Sequence, residues 1–251
     1  MAEICGIVSN EKITAGHEVY AMVLSAPGIA KEAKPGQFLH IKCAGLTLRR
    51  PISIASAKNG ELTLCYEVRG EGTAWMAGLK SGGEIDVIGP LGNGFGALDS
   101  SKKALLVGGG VGIFPLYAPA EIFGGNAASV LGFRTGGLVV YEREFAGCGG
   151  EVHIATDDGS YGKKGFATDV AKEILDSREI ELILSCGPKM MMKAVALEAA
   201  KRNIRCLVSF EERMACGVGA CLACVCRANG KNKRVCTDGP VFEAGEIDWD
   251  W

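Results

Sequence analysis

The chain has 251 residues, of which 48% are hydrophobic and 22% are charged, as is typical of a folded globular protein. Its formal net charge is −2 and its lysines and arginines are not clustered, so the sequence gives no basis for binding nucleic acid or an anionic membrane. It shows neither an export signal nor an apolar run of about 18 residues, and it therefore predicts a cytoplasmic protein that does not cross a membrane.

The first part of the chain, residues 1–99, is predicted to form a small antiparallel β-barrel. Short β-rich runs punctuated by Gly, Pro or Asn follow one another there, at residues 18–26, 36–44, 50–57, 61–68 and 82–90. Strands and turns spaced in this way are typical of an all-β unit.

The middle part, residues 100–206, is predicted to be an α/β domain. Apolar runs that are typical of buried parallel strands occur at residues 104–110, 128–133, 151–156 and 181–187. Apolar residues at helical spacing follow Thr168 and Pro188, which predicts a helix after each. The alternation of strand and helix predicts a doubly wound parallel sheet.

The last part, residues 207–251, is rich in cysteine and is short enough to need a cofactor or a partner to hold its shape. Four of its cysteines follow the pattern C-x4-C-x2-C-x11-C, namely Cys216, Cys221, Cys224 and Cys236. The first three have the spacing of the plant-type loop that binds a [2Fe-2S] cluster. A structural zinc site is the alternative, although zinc ribbons usually contain two C-x2-C pairs.

The remaining cysteines are not assigned to this site. Cys226 could substitute as a ligand only if the loop stays irregular there, and it is left out of the predicted set. The others are scattered along the chain and are predicted to be small buried apolar residues. They are Cys5, Cys43, Cys65, Cys148, Cys186 and Cys206.

Two segments of the predicted barrel suit a flavin dinucleotide. In the first, Arg50 could bind a pyrophosphate with its forked guanidinium while Ser53 donates to the flavin ring, although a solvated strand edge would look the same. In the second, Tyr66 supplies an aromatic ring, and Gly72 and Thr73 lie where a short helix begins. The free N–H groups at a helix N-terminus bind phosphate.

A glycine-rich turn in the predicted α/β domain suits a nicotinamide dinucleotide. Residues 108–112, with the sequence GGGVG, directly follow an apolar strand, where backbone can approach a ligand at the strand's carboxyl end. The turn departs from G-x-G-x-x-G, and the next strand ends in Phe133 and Arg134 without the acid that usually binds a ribose. A purely structural turn is the alternative.

The order of RRPIS, GEGT, GGGVG, CGP and C-x4-C-x2-C along the chain resembles that of the ferredoxin–NADP reductase superfamily. Within it, the sequence resembles most the electron-transfer subunits of dihydroorotate dehydrogenase B, over nearly the whole chain. The resemblance implies that the barrel holds FAD, that the α/β domain receives NAD(H), and that the last segment carries the [2Fe-2S] cluster on the four cysteines. The implied FAD residues are Arg50, Pro51, Ile52, Ser53, Cys65, Tyr66, Glu67, Gly72 and Thr73. The implied nicotinamide residues are Gly108, Gly109, Gly110, Gly112, Cys186, Gly187 and Pro188.

The resemblance also implies a partner and a reaction. The partner would be an FMN-containing catalytic subunit that oxidises dihydroorotate to orotate in pyrimidine (UMP) biosynthesis, with two copies of each subunit and with NAD+ as the acceptor. The substrate site would then lie on the partner. We expect no acid/base catalyst on this chain, and no catalytic role for its histidines, His17, His40 and His153.

Three other functions are weighed against this one. The small flavin/iron-sulfur subunit of an NADPH–ferredoxin or sulfide dehydrogenase complex would differ mainly in its second subunit. The reductase of a ring-hydroxylating oxygenase is disfavoured, because its appended ferredoxin domain needs a longer gap before the last cysteine than the eleven residues found here. A non-enzymatic iron-sulfur redox sensor would not reduce its flavin rapidly with NADH.

Overall fold

A six-stranded antiparallel barrel forms the first part of the chain in the computed structural model, which describes residues 2–251. The strands are β1 (Ala2–Lys12), β2 (Val19–Ser25), β3 (Phe38–Ile41), β4 (Arg50–Lys58), β5 (Glu61–Glu67) and β6 (Glu84–Leu91), with helices α1 (Pro27–Glu32) and α2 (Glu71–Ala77). They close in the order β1-β2-β5-β4-β3-β6. The predicted barrel is confirmed, with β1 as an additional strand that the sequence analysis did not identify.

Strands β3 and β4 have one face inside the barrel and one outside. Leu39 points into the barrel core, whereas Phe38 packs with the core of the rest of the molecule. The register pairs Phe38 with Ser53 and His40 with Pro51. Because residues directly opposite each other in an antiparallel pair share a face, these four residues lie together on the outer face of the barrel.

The second part of the chain is a parallel sheet with helices packed against it. Its strands are β7 (Ala104–Gly109), β8 (Ala127–Phe133), β9 (Glu151–Thr156), β10 (Lys163–Lys164), β11 (Leu182–Cys186) and β12 (Arg205–Ser209). Its helices are α3 (Tyr117–Phe123), α4 (Glu142–Gly147), α5 (Ala167–Ser177) and α6 (Lys189–Lys201). The strand order β10-β9-β8-β7-β11-β12 reverses direction at β7, so the predicted doubly wound α/β architecture is confirmed.

The cysteine-rich tail is built into this sheet. A hairpin of β13 (Val225–Ala228) and β14 (Lys231–Arg234) is followed by β15 (Val241–Glu243), which pairs antiparallel with β12. The backbone N–H of Asn93, just beyond the barrel, donates to the carbonyl of Gly239 over 2.6 Å. The tail therefore gains backbone pairing with both other parts of the chain, which the sequence analysis did not foresee. The division at residues 99 and 206 stays a prediction.

Aromatic packing completes the attachment of the tail. Phe242 of β15 is buried, and its ring meets that of Phe210 edge-on with centroids 6.1 Å apart. The Trp249 ring is tilted against that of Phe210, with centroids 5.6 Å apart. Edge-to-face pairs of this kind add to the free energy gained from apolar burial alone.

None of the helices within residues 2–251 combines the length and the apolar character that a bilayer crossing requires.

We predict that Phe242→Ala lowers the free energy of unfolding by about 3–5 kcal/mol, because it removes a buried ring and leaves a cavity. Urea unfolding followed by circular dichroism measures the change. Leu197→Ala, on the exposed side of α6, is the matched control and should leave stability almost unaltered. A loss below about 1 kcal/mol for Phe242→Ala would show that β15 does not anchor the tail.

Candidate functional site

The loop between Cys216 and Cys221 surrounds a thiol with backbone donors. The N–H groups of Val218, Ala220 and Cys221 point at Sγ of Cys216 over 3.5, 3.3 and 3.4 Å. Burial alone would raise the pKa of Cys216, but these donors outweigh it and lower the pKa to about 6. The loop therefore favours a thiolate, which is the form that binds metal.

The second pair of predicted ligands lies beside the first. Sγ of Cys236 accepts the N–H of Gly219 from the loop at 3.2 Å, and the N–H of Cys236 donates to Sγ of Cys224 at 3.4 Å. Burial raises the pKa of Cys236 to about 11. The structure thus brings all four predicted cysteines together, with thiol–thiol contacts between Cys216 and Cys221 and between Cys224 and Cys236.

The donor set consists of four cysteines in two pairs, an arrangement that fits a two-iron cluster. Within residues 2–251, no three His, Cys, Asp or Glu side chains are placed to hold one metal ion. A [2Fe-2S] cluster divides four thiolates between two irons, so it matches cysteines arranged in two pairs. Cys226 lies in strand β13, is buried, and pairs in register with Lys233. The chain is therefore regular at Cys226, and its exclusion from the ligand set stays a prediction.

The cysteine loop rests directly on the outer face of the barrel. Gly217 adopts a φ of +70°, and a Cβ placed there would lie 2.6 Å from Nδ1 of His40. His40 is fully buried. Burial lowers its pKa, as does the nearby Arg49 guanidinium, while backbone groups of Cys216 and Arg49 act weakly in the opposite direction.

Of the two arginines at the start of β4, only the second is free to bind a ligand. The Arg49 guanidinium forms an ion pair with Asp86 at 2.8 Å and donates to the carbonyl of His40 at 3.2 Å, so it has a structural role. The Arg50 guanidinium donates only to backbone carbonyls, those of Leu48 and Arg49. Among residues 2–251 it has no carboxylate partner, and its charge is available for an anion.

The beginning of α2 closes around Arg50. Gly72 is buried, and a Cβ at this position would lie 2.3 Å from Nε of Arg50. The hydroxyl of Thr73 accepts the N–H groups of Arg69 and Gly70 at 2.9 and 3.3 Å, so it shapes the turn before the helix. The two barrel segments that the sequence analysis identified separately therefore meet at one place.

The other predicted flavin residues differ in what they offer. Pro51, Ile52 and Ser53 are half-buried, and the Ser53 hydroxyl forms no hydrogen bond within residues 2–251. The Tyr66 ring, by contrast, is buried against Tyr20, and its hydroxyl donates to Asn10 at 2.9 Å. Tyr66 can therefore reach a ligand with its backbone but not with its ring.

Cys65 and Glu67 precede and follow Tyr66 in strand β5, and their side chains lie on the face opposite to the Tyr66 ring. The Cys65 thiol is buried and donates to the hydroxyl of Tyr141 at 3.1 Å, which joins the barrel to the α/β domain. Glu67 is half-buried and forms an ion pair with Arg69 at 2.6 Å. Its carboxylate lies 3.8 Å from His17, at the wall of a large cavity.

This cavity, of about 980 Å³, lies between the barrel and the carboxyl ends of the parallel strands. The predicted nicotinamide residues that line it are Gly109, Gly110, Gly112, Gly187 and Pro188. Gly108 and Cys186 do not line it; Gly108 packs against Ile113, and burial raises the pKa of Cys186 to about 12. A Cβ at Gly112 would lie 2.6 Å from the carbonyl oxygen of Cys186, so the two turns pack backbone against backbone.

The cavity also contains charged residues that the sequence analysis missed. Arg134 lies at the end of β8, and Asp157 lies at the end of the neighbouring strand β9, where its N–H donates to the carbonyl of Phe133 at 3.1 Å. An acid is therefore present beside β8, although the chain does not supply it from β8 itself. Because neighbouring parallel strands end at the same edge of a sheet, the position of Asp157 after β9 was the available signal.

Comparison with known proteins agrees with this geometry. The profile for the iron-sulfur cluster binding domain of dihydroorotate dehydrogenase B matches residues 211–248. The dihydroorotate dehydrogenase B (NAD(+)) electron transfer subunit of Bacillus caldolyticus is 45% identical over 253 aligned residues, covering 96% of each chain. That of Caldanaerobacter subterraneus subsp. tengcongensis is 42% identical, again covering 96% of each chain.

Solved structures show the same fold. A chain of the NADH-dependent reduced ferredoxin-NADP oxidoreductase, described in the context of flavin-based electron bifurcation, has a TM-score of 0.88 and 34% identity, covering 99% of this chain and 91% of that one. The ferredoxin-NADP+ reductase of Plasmodium falciparum shares only the fold, at 16% identity and a TM-score of 0.64. With these relatives and with two pairs of cysteines seated on a ferredoxin-reductase barrel, the chain belongs to the dihydroorotate dehydrogenase B electron-transfer subunits.

Proposed function

We propose that this chain carries electrons from an FMN-containing catalytic subunit, which oxidises dihydroorotate, to NAD+ in pyrimidine biosynthesis. Relatives named for this role are 45% identical to it over 96% of its length. The structural observation that carries the proposal is the seating of the cysteine loop on the barrel face that bears Ser53 and Pro51. A flavin site and an iron-sulfur site on the same face of the barrel are suited to passing electrons from one to the other.

When bound, FAD exchanges two electrons with a nicotinamide and single electrons with an iron-sulfur cluster. We propose that the Arg50 guanidinium binds the FAD pyrophosphate, beside the backbone at Gly72. The unpaired Ser53 hydroxyl is available to donate to the flavin ring. Cys65 and Tyr66 would contribute backbone rather than side chains, because the Cys65 thiol is bonded to Tyr141 and the Tyr66 hydroxyl to Asn10.

We propose that the four cysteines bind the [2Fe-2S] cluster in pairs. Cys216 and Cys221 would hold one iron, and Cys224 and Cys236 would hold the other, since these are the thiols in mutual contact. The N–H groups directed at Cys216 stabilise negative charge on its sulfur. Hydrogen bonds to the sulfurs are one means by which a protein sets the potential of such a cluster.

The cavity between the two domains is proposed to bind NAD(H). The backbone at Gly109, Gly110 and Gly112 is open to it, and Pro188 lines it directly beside Gly109. Asp157 would accept hydrogen bonds from ribose hydroxyls, the role that an acid has in other dinucleotide sites. Gly108 and Cys186, which do not line the cavity, would support the turns rather than contact the ligand.

The catalytic partner is proposed to bind where the cysteine loop is apolar and exposed. Val218 and Leu222 are 52% and 63% exposed, and both flank the cluster ligands in the loop. Burial of such side chains in an interface would exclude water from the path between the two subunits. We propose an assembly with two copies of each subunit, in the cytoplasm, where eleven unpaired cysteines stay reduced.

One other function has a specific observation in its favour. The 34% identical chain with a TM-score of 0.88 belongs to an NADH-dependent reduced ferredoxin-NADP oxidoreductase, so the fold also suits a subunit of a ferredoxin-linked complex. The 45% identity to dihydroorotate dehydrogenase B subunits and the matching profile over residues 211–248 favour the first function.

The decisive test of the function is co-expression with the FMN subunit encoded in the same genome. We predict that the purified complex reduces NAD+ with dihydroorotate as the electron donor. In a complex with Cys221→Ser, dihydroorotate should still reduce an artificial dye through the FMN subunit, while NAD+ reduction falls to background. A fully flavinated complex that reduces ferredoxin but never NAD+ with dihydroorotate would favour the second function.

The cluster assignment is tested by single Cys→Ser substitutions at Cys216, Cys221, Cys224 and Cys236. We predict that each variant loses iron and acid-labile sulfide, because a hydroxyl replaces a thiolate ligand. Cys226→Ser is the matched control, a buried cysteine of the same segment, and it should keep its iron and sulfide. Zinc without sulfide in anaerobically prepared protein would contradict the assignment, as would loss of the cluster in Cys226→Ser.

The flavin assignment is tested at two glycines of one turn. We predict that Gly72→Ala weakens FAD binding at least about tenfold, or about 1.4 kcal/mol, because its Cβ displaces Arg50. Gly70→Ala is the control, since its φ of −175° suits any residue and its Cβ would meet no atom within 4 Å. Flavin fluorescence during reconstitution gives the dissociation constant of FAD for each variant. Equal dissociation constants for the two variants would show that Arg50 does not bind FAD.

A further inference from the structure

His40 has an environment that the proposed function does not account for. Its side chain is fully buried, yet neither ring nitrogen has a hydrogen-bond partner among residues 2–251. A buried polar group without a partner is unfavourable, and most native proteins avoid it. A partner for the ring must therefore be sought among the segments packed against it.

The position of His40 indicates which part of the protein that partner belongs to. His40 lies opposite Pro51 on the outer face of β3 and β4, the face that also bears Ser53. On its other side it meets the cysteine loop, since Nδ1 is the His40 atom nearest to the Cβ position of Gly217. The ring therefore lies between the proposed flavin strand and the loop of the first cluster ligand.

The groups around the ring limit its possible hydrogen-bond partners. The Arg49 guanidinium is held by its ion pair with Asp86 and donates to the backbone carbonyl of His40 at 3.2 Å, and it has no acceptor atom to offer the ring. A neutral imidazole has one N–H donor and one acceptor nitrogen. Backbone groups of Cys216 and Arg49 both lie close to the ring without completing a hydrogen bond, and Cys216 is the one that belongs to the cysteine loop.

We propose that His40 is a positioning residue that donates a hydrogen bond from Nδ1 to the backbone of the cysteine loop at Cys216 and thereby fixes the cluster against the flavin-bearing face. The proposal rests on cluster ligation by Cys216, as argued above. Its consequence is a constant separation between the two redox groups, which a mobile loop would not maintain. His40 itself takes part in no bond making and carries no electron.

Substitution of His40 by amide side chains distinguishes a hydrogen-bond donor from a side chain that only fills space. The amide nitrogen of Asn can occupy the position of Nδ1, whereas that of the longer Gln reaches the position of Nε2. His40→Leu keeps the bulk and removes both nitrogens. Comparison of His40→Asn, His40→Gln and His40→Leu therefore tests the donor and its position at once, and the FAD content of each variant shows whether the barrel is folded.

We predict that His40→Leu and His40→Gln change the EPR spectrum of the reduced cluster. Both variants should also release iron to a chelator about tenfold faster than the wild-type protein, because the loss of one ordinary hydrogen bond corresponds to about that factor. His40→Asn should restore the wild-type spectrum and release rate. His153→Leu is the control, since His153 lies on β9 in the α/β domain, and it should leave both measurements unaltered.

Two results would overturn the proposal. One is a wild-type spectrum and release rate in His40→Leu or, if that variant does not fold, in His40→Gln. The other is a failure of His40→Asn to restore the cluster signature in a protein that retains FAD. The proposed function is judged separately, by the iron and sulfide content of the wild-type protein, so the absence of a cluster there would not be confused with a failure of His40.

Discussion

The antiparallel pairing of β15 with β12 is the interaction on which the arrangement of the three sites depends. A tail of this length cannot bury a hydrophobic core of its own, so it depends on packing against the other parts of the chain. Backbone hydrogen bonds to β12 and to Asn93, together with the packing of Phe242 on Phe210, hold it between the sheet and the barrel. From that point the cysteine loop reaches the outer face of the barrel, where Gly217 lies against His40.

Close backbone contact then brings distant motifs together. Gly72 lies against Arg50, Gly112 against the turn at Cys186, and Gly217 against His40. In each case a Cβ would overlap the neighbour, so the space is available only because the residue is glycine. These contacts join segments that are far apart in the sequence: the two glycine turns of the α/β domain, the start of β4 with the turn before α2, and the cysteine loop with β3.

Sequence motifs predicted the site best where the backbone defines the chemistry. The cysteine spacing alone identified four thiols that the structure brings together, since a loop around a cluster depends on local chain geometry. Side-chain roles were harder to predict. The Tyr66 ring was expected at a ligand but stacks on Tyr20. The sequence showed no acid at the end of β8, whereas the structure places Asp157, after β9, in the same cavity. Both outcomes depend on neighbours that are far away in the sequence.

By itself, the sequence determined the fold class, the cysteine pattern and the glycine-rich turns. Alternating burial, strand length and turn residues are local properties, and they act over a few residues. Only the tertiary structure decided that β1 closes the barrel, that β15 extends the sheet, and that His40 meets Gly217. Strand neighbours and backbone contacts between distant segments depend on how the whole chain packs, and no local pattern encodes that packing.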